Sequence, residues 1–301
     1  MDGRTQIKNT VSGVLVVDKP IGMTSHDVVQ IIRNGTKIKR AGHTGTLDPR
    51  ASGVLVVLLG PAVRLSEYVS SEDKRYHAVI QLGKKTTTFD EEGSITETAP
   101  VNITAKQFEE ALSGFIGEIE QVPPPYSAIK VNGRRAYEAA REGEEVELEP
   151  RIIQVYSLEL LEWNPPQALI DVHCSSGTYI RSLANDLGEK LGCGATLAGL
   201  RRVKSGKFTL NDAISLRKLT EAFQDGTWYK YLIPAAEALG EWPTIYLTPA
   251  EVDLVQHGHR IRRDEKIGDM ARAITEQGEL VALMQFNEES GEYQPKKVFF
   301  S

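Results

Sequence analysis

One carboxylate stands out by its setting. Asp48 lies in Gly42-His43-Thr44-Gly45-Thr46-Leu47-Asp48-Pro49, just ahead of the apolar run Val-Leu-Val-Val-Leu-Leu at 54–59. Pro49 pushes Asp48 away from helical geometry toward an extended backbone. Gly42 and Gly45 permit turns that other residues resist. An acid held at the mouth of a buried strand can serve as nucleophile, general base or electrostatic stabiliser of a cationic transition state. An Asx-type turn ahead of a strand accounts for the same residues, and the loop alone does not choose between turn and catalyst.

Arg181, in Ser176-Gly177-Thr178-Tyr179-Ile180-Arg181-Ser182-Leu183-Ala184, is the second candidate. The pattern puts it in the first turn of a helix, where a cation opposes the helix dipole and calls for an anionic partner. Paired with a carboxylate, it would keep that acid ionised and oriented; a surface arginine is the plainer alternative. Tyr76 follows Lys74-Arg75 at a strand start and Tyr179 precedes Arg181, and tyrosines beside basic residues can stack on bases or fill a core rim. His43 can titrate or hydrogen-bond within its loop. No second His, Cys or carboxylate lies at metal-like spacing from it, and Cys174 and Cys193 form neither a metal pattern nor a disulfide framework. No metal and no cofactor is expected.

The elements that must position these residues follow from periodicity. The apolar run at 13–18 predicts a buried strand, and Thr24 or Ser25 can cap a helix with Val28, Val29 and Ile32 on one face. Strand 54–59 leads to a short helix at 63–69, and 76–82 alternates as a half-buried strand. Thr104 and Gln107 form a capping-box pattern opening a helix to about 115. Pro123-Pro124-Pro125 begins a polar excursion, read as an insertion or mobile arm over about 121–150, with a short helix near 135–141. Strands are expected at 152–163, 168–174, 196–203 and 207–210, with a helix over 179–191. The mixture predicts an α+β fold with a large, mostly antiparallel sheet flanked by helices. A boundary near Trp242-Pro243 separates residues 1–243 from a small β-rich tail, 244–301, with a helix opened by Thr248 and strands near 271–275 and 280–286.

At 301 residues, 41% hydrophobic and 25% charged, the composition is that of a globular protein. No apolar run nears the ~20 residues of a membrane span, and the polar start Met1-Asp2-Gly3-Arg4 has no signal-peptide core; a cytoplasmic protein is expected. The net charge of −6 argues against indiscriminate coating of nucleic acid. Yet Arg33, Lys37, Lys39 and Arg40 form one basic run, and Arg201, Arg202, Lys204 and Lys207 another. Acid gathers at Glu142, Glu144, Glu145, Glu147 and Glu149.

In order along nearly the whole chain, these segments resemble the TruB family of tRNA pseudouridine synthases. Gly13-Val14-Leu15-Val16-Val17-Asp18-Lys19-Pro20 with Gly22-Met23-Thr24-Ser25 is similar to the family's opening motif, and Gly42 to Pro49 to its catalytic-aspartate motif. Lys74-Arg75-Tyr76 matches the active-site tyrosine segment. Thr86-Thr87-Thr88-Phe89-Asp90 approximates a Thr-Asp-Thr-x-Asp segment, departing at Thr87. Pro124-Pro125-Tyr126-Ser127-Ala128-Ile129-Lys130-Val131-Asn132-Gly133 resembles the start of an RNA-gripping arm. The segment from Gly177 to Ala184 and Leu200-Arg201-Arg202 complete the series, and the tail resembles a PUA-like domain.

The resemblance implies isomerisation of uridine 55 in the tRNA T-loop, without cofactor or metal, in a pseudouridine synthase fold. The C1′–N1 bond breaks, the uracil turns, and C5 joins C1′. A stacked base must be flipped out for this. Asp48 would be the essential acid, acting by attack at C1′, by addition to the ring or by glycal formation. Arg181 would pair with it, Tyr76 would stack on the base, Tyr179 would form a pocket wall and Leu200 would close the apolar side. His43 would fill the vacated space in the RNA, and Lys19 joins the substrate-binding set. Asp90, Lys130, Arg201, Arg202, Arg33, Lys39 and Arg40 are the implied RNA-binding residues, with Arg260, Arg262 and Arg263 in the tail. The expected partner is tRNA alone, bound by a monomer. A non-catalytic RNA binder or folding helper has no need of an ionised acid in its cleft. A guide-RNA-dependent relative is disfavoured by the arm and the small tail.

Overall fold

The computed structural model describes residues 11–127 and 148–299, with the backbone of 130–131 and 134–135. The expected helix near 135–141, most of the arm, the glutamates at 142–147 and the Lys130 side chain lie outside the described residues. From Ser71 back and from Ser205 onward the chain forms one compact unit, and Glu72–Lys204 forms another.

Strand β1 (Gly13–Lys19) leads to helix α1 (Ser25–Thr36), opened by a Thr24–Asp27 capping box. Strands β2 (Ala41–His43) and β3 (Ala51–Leu59) and the short α2 (Ser66–Ser70) follow. The second unit holds β4 (Lys74–Leu82), β5 (Lys84–Thr86), β6 (Ile95–Thr98) and α3 (Ala105–Ser113), opened by a Thr104–Gln107 capping box. It continues through β7 (Gly117–Gln121), the strand pair β8 (Lys130–Val131) and β9 (Arg134–Arg135), β10 (Arg151–Asn164) and β11 (Gln167–Cys174). Helix α4 (Ile180–Leu191) and β12 (Ala195–Ser205) complete that stretch. Next come β13 (Phe208–Thr209), β14 (Ile214–Ser215), α5 (Leu216–Gln224), β15 (Ile233–Pro234) and β16 (Thr244–Tyr246). Helix α6 (Pro249–Gln256) and strands β17 (Ile261–Arg262), β18 (Met270–Ile274), β19 (Leu280–Asn287) and β20 (Glu292–Val298) end the chain. The fold class is α+β, with mostly antiparallel strands as expected.

In the first unit β1 lies between β14, parallel to it, and β3, antiparallel to it. Nearly every residue of β1 and β3 is buried, because both faces are covered. Strands of that kind show continuous apolar runs in place of alternation. Val14, Val16, Val54 and Val56 share one buried cluster with Leu239, Leu283 and Phe299, so the C-terminal strands complete the core of β1 and β3. Those strands also form their own sheet, β16-β18-β19-β20-β17, around Ile245, Val255, Val281 and Tyr293. Helix α5, which sequence periodicity did not reveal, is capped by Ser215. Its Phe223 ring lies against the backbone of Gly35, where a Cβ would come within 2.2 Å of the ring.

In the second unit the strand order is β12-β4-β11-β10-β7. Here β4 alternates between buried and half-buried or exposed positions, with Lys74, Tyr76, Ala78, Ile80 and Leu82 on the inner face. Parity therefore sets Tyr76 and Lys74 side by side on the same face.

Candidate active site

The Asp48 loop is held through its backbone. Thr24 takes the N-cap of α1, which leaves the Ser25 hydroxyl for a different task. Ser25 Oγ accepts from the Leu47 N–H at 2.8 Å and donates to the Leu47 carbonyl at 3.0 Å. A side chain that is 2% exposed thus fixes the peptide groups flanking Leu47, immediately before Asp48. On the other side of the acid, Lys19 Nζ donates to the Pro49 carbonyl at 3.5 Å, and also to Met23 O at 2.6 Å and Pro20 O at 3.0 Å. Gly22 N–H adds a 2.8 Å bond to Pro49 O, and Ala51 N–H closes a turn on Asp48 O at 3.0 Å. Lys19 is fully buried, a position an ammonium tolerates only with such acceptors around it. His43 ends β2, paired with Val57 of β3, and Thr44 N–H bonds Val56 O at 3.1 Å. Together these contacts set the direction in which Asp48 leaves the sheet.

Arg181 is placed by a matching device and then held by its own guanidinium. Gln121, 3% exposed at the end of β7, accepts from the Tyr179 N–H at 2.8 Å and donates to the Tyr179 carbonyl at 3.0 Å. Tyr179 is the N-cap of α4, so Arg181 falls in the first turn, as its pattern predicts. Arg181 Nη2 donates to Tyr126 O at 3.1 Å and Nη1 to Thr88 O at 3.4 Å, with Asp90 Oδ2 at 3.5 Å. Ser182 Oγ donates to Val122 O at 2.7 Å. The three acceptor groups of Thr88, Asp90 and Tyr126 oppose the dipole penalty that a cation meets at a helix start.

Asp90 is occupied within the fold. Its Oδ1 accepts from the Thr88 hydroxyl and from Glu92 N–H, and its Oδ2 faces Arg181. Phe89, just before it, has φ +62, a left-handed turn that lets the loop double back. The structure therefore gives Asp90 the character of a support for Arg181. Tyr76 is 8% exposed on β4, opposite Val172. Lys74 beside it is 5% exposed; burial, together with the charge of Arg202, pushes its pKa down to about 8. Cys174, across from Lys74 in register, has its thiol pushed up to about 12 by burial, which makes it unreactive.

The basic residues divide by exposure. Lys37, Lys39 and Arg40 are exposed, whereas Arg33 donates to Ala41 O at 2.6 Å and so helps close α1 onto β2. Leu200 and Arg201 are half-buried, but Arg202 is 2% exposed and offers RNA no surface, a departure from the reading of its basic run. Arg260 and Arg262 are exposed, and Arg263 bonds Tyr246 O at 3.1 Å.

The sequence offers Ser25 only as a possible cap and Lys74 only as part of the Tyr76 segment, and it gives Gln121 no role. Ser25 and Thr24 compete for one cap, and only the backbone shows which of them wins. Gln121 gives no sequence signal, since its partner lies 58 residues away. Lys74 could have been found, because it shares the parity of Tyr76. Among the described residues no cluster of three or more His, Cys, Asp or Glu could hold a metal ion, and no helix is long and apolar enough to cross a membrane.

Comparisons with known proteins agree with one another. Residues 33–180 match the TruB family pseudouridylate synthase N-terminal domain, and residues 181–239 the tRNA pseudouridylate synthase B C-terminal domain. The tRNA pseudouridine synthase B of Pseudomonas syringae pv. syringae is 40% identical over 301 residues, covering 98% of each chain. That of Thiobacillus denitrificans is 40% identical over 291 residues, covering 97% of each. Among solved structures, an H/ACA RNP bound to a substrate RNA containing 2′-deoxyuridine aligns with TM-score 0.74 and 28% identity, over 96% of this chain and 85% of that one. A Cbf5-Nop10-Gar1 complex aligns with TM-score 0.73 and 30% identity, over 96% and 85%. The chain belongs to the TruB family of tRNA pseudouridine synthases, isomerases that convert uridine in tRNA to pseudouridine.

Proposed function

We propose that the chain acts on uridine 55 in the T-loop of tRNA, flipping the base out of its stack and isomerising it through Asp48. The observation that carries this reading is the double anchoring of the Asp48 loop, by Ser25 on Leu47 and by Lys19 on Pro49. Such fixing makes sense for an acid that must meet a reacting atom within tenths of an ångström. In the net reaction the C1′–N1 bond breaks, a C5–C1′ bond forms, C5 gives up its proton and N1 gains one. There is no redox change, so the proposed chemistry calls for neither cofactor nor metal.

In this reading Arg181 keeps Asp48 ionised, Tyr76 stacks on the flipped uracil, and Tyr179 and Leu200 line the pocket. His43 takes the place of the base in the RNA, and Lys19 serves by holding the loop. Residues 1–243 carry catalysis and residues 244–301 form a PUA-like RNA contact. The exposed Lys39 and Arg40, together with Lys130, Arg201 and Arg33, supply phosphate contacts. The protein works as a monomer in the cytoplasm, with tRNA as its partner.

The test is incubation with an unmodified tRNA transcript, followed by mapping with a pseudouridine-specific chemical probe. Wild type is expected to modify the T-loop uridine. Asp48→Asn is expected to lose at least about a thousandfold in rate while keeping tRNA affinity. Modification elsewhere in the tRNA, or substantial turnover by Asp48→Asn, overturns the reading. Affinity should also fall steeply with salt.

A further inference from the structure

An apolar tip stands beside the Asp48 loop. Pro20, Ile21 and Gly22 are exposed and Met23 is half-buried, and Ile21 reaches 67% exposure, as high as any large hydrophobic residue among those described. A single exposed isoleucine is ordinary on a protein surface. This one differs in its mounting. The fully buried Lys19 ammonium donates to the carbonyls of Pro20 and Met23, on either side of Ile21, and to Pro49. Gly22, at φ +90 where a side chain would be strained, sends its N–H to Pro49 O at 2.8 Å. The tip is thus a tight turn whose backbone is tied at two points to the residue after Asp48.

Between Lys19 and Thr24 no side chain carries a charge or a hydrogen-bonding group. A turn built only to reverse the chain would favour polar residues at its exposed positions. This turn presents a β-branched aliphatic side chain with few rotamers, so ordering it against a partner costs little entropy. The partner is set by location, since RNA brought to Asp48 passes beside this turn. Phosphates would gain nothing from an apolar tip, whereas the face of a base or the C–H edge of a ribose would.

We propose that Ile21 is a substrate-binding residue that packs against the base or ribose of a nucleotide neighbouring the target uridine, supporting the RNA while that uridine is out of its stack. Apolar wedges that support unstacked steps are a recurrent device in nucleic-acid recognition. The inference rests on the functional reading above and adds a contact to it.

The experiment compares wild type, Ile21→Ala, Ile21→Asp and Ile21→Leu on an unmodified tRNA transcript, with thermal unfolding in parallel. Ile21 is exposed in the unbound protein, so all four proteins should unfold at the same temperature. Ile21→Ala should raise KM and the tRNA dissociation constant by about tenfold, and Ile21→Asp by more. Ile21→Leu should stay within about threefold of wild type, and the first-turnover rate at saturating RNA should change little. Values for Ile21→Ala and Ile21→Asp within twofold of wild type would overturn the inference while leaving the functional reading intact. Failure of wild type to modify the T-loop uridine would overturn the functional reading instead.

Discussion

The loop that carries Asp48 and the helix start that carries Arg181 are positioned by the same local device. In each, one buried polar side chain makes two hydrogen bonds to the backbone of a single residue, Ser25 to Leu47 and Gln121 to Tyr179. Beyond that they diverge. The Asp48 loop is fixed through carbonyls, by Lys19 and by the Gly22 N–H, within one compact unit of the chain. Arg181 is fixed through its own charged group, on Thr88, Asp90 and Tyr126, and its neighbour Ser182 grips Val122. An acid can be placed by holding its backbone. A long, flexible arginine has to be held at its tip. The arginine therefore depends on the segment 121–127 in a way that the acid does not.

The sharpest way to break this comparison is Arg181→Lys. It keeps the positive charge but loses the planar fork that reaches several acceptors at once. The expected loss in single-turnover rate on tRNA is about a hundredfold, with a stability cost of about 1–3 kcal/mol from the acceptors that lose their donor. A lysine variant within threefold of wild type would mean that charge alone matters and that the hold at the tip is incidental.

Ser25→Ala and Gln121→Ala divide the two regions next. Each leaves a buried N–H and C=O without their partner, a cost of about 1–3 kcal/mol, visible as a lowered denaturant midpoint. In activity they should differ. Ser25→Ala should lower kcat by about tenfold with KM nearly unchanged, because it loosens only the residue before Asp48. Gln121→Ala should lower kcat and raise KM together, because it loosens both the Arg181 helix and the 121–127 segment. An unchanged KM in both variants would erase the distinction.

How much of this the sequence made legible follows the same division. The buried strands β1 and β3, the alternating β4 and the Thr-led helix starts at 104 and 248 were readable, because each depends on neighbours within a few residues. So was the placement of Arg181 in a first helical turn. The two-bond grips were not. Ser25 and Leu47 are 22 residues apart and Gln121 and Tyr179 are 58 apart, so no periodicity encodes them. The burial of Arg202 was hidden as well. A run of basic residues suggests a solvated face, yet along a strand each successive residue turns to the opposite side, and Arg202 turns inward.

The smallest expected effect, and the finest test of the comparison, concerns the two buried lysines. Lys19 sits among three carbonyl acceptors. Lys74 donates to Glu72 O but lies near the charge of Arg202, and its pKa is pushed down to about 8. For a base whose folded pKa is depressed, the unfolded chain binds more protons between that value and the unfolded one near 10.5, so stability rises with pH across this window. The penalty of burying the charge is felt in full below about pH 8. It is gone above the unfolded pKa. Lys74→Met should therefore stabilise the protein by ~1–2 kcal/mol at pH 7, and its advantage over wild type should shrink as pH climbs from 8 toward 10. Lys19→Met should destabilise at pH 7, since it strips a donor from three carbonyls around the Asp48 loop. Chemical denaturation of both variants at pH 7, 8.5 and 10 reads the two signs directly. A Lys74→Met advantage that grows with pH would show that Asp73 and Glu72, which favour the charged form, outweigh burial and Arg202, and the two lysines would then be alike.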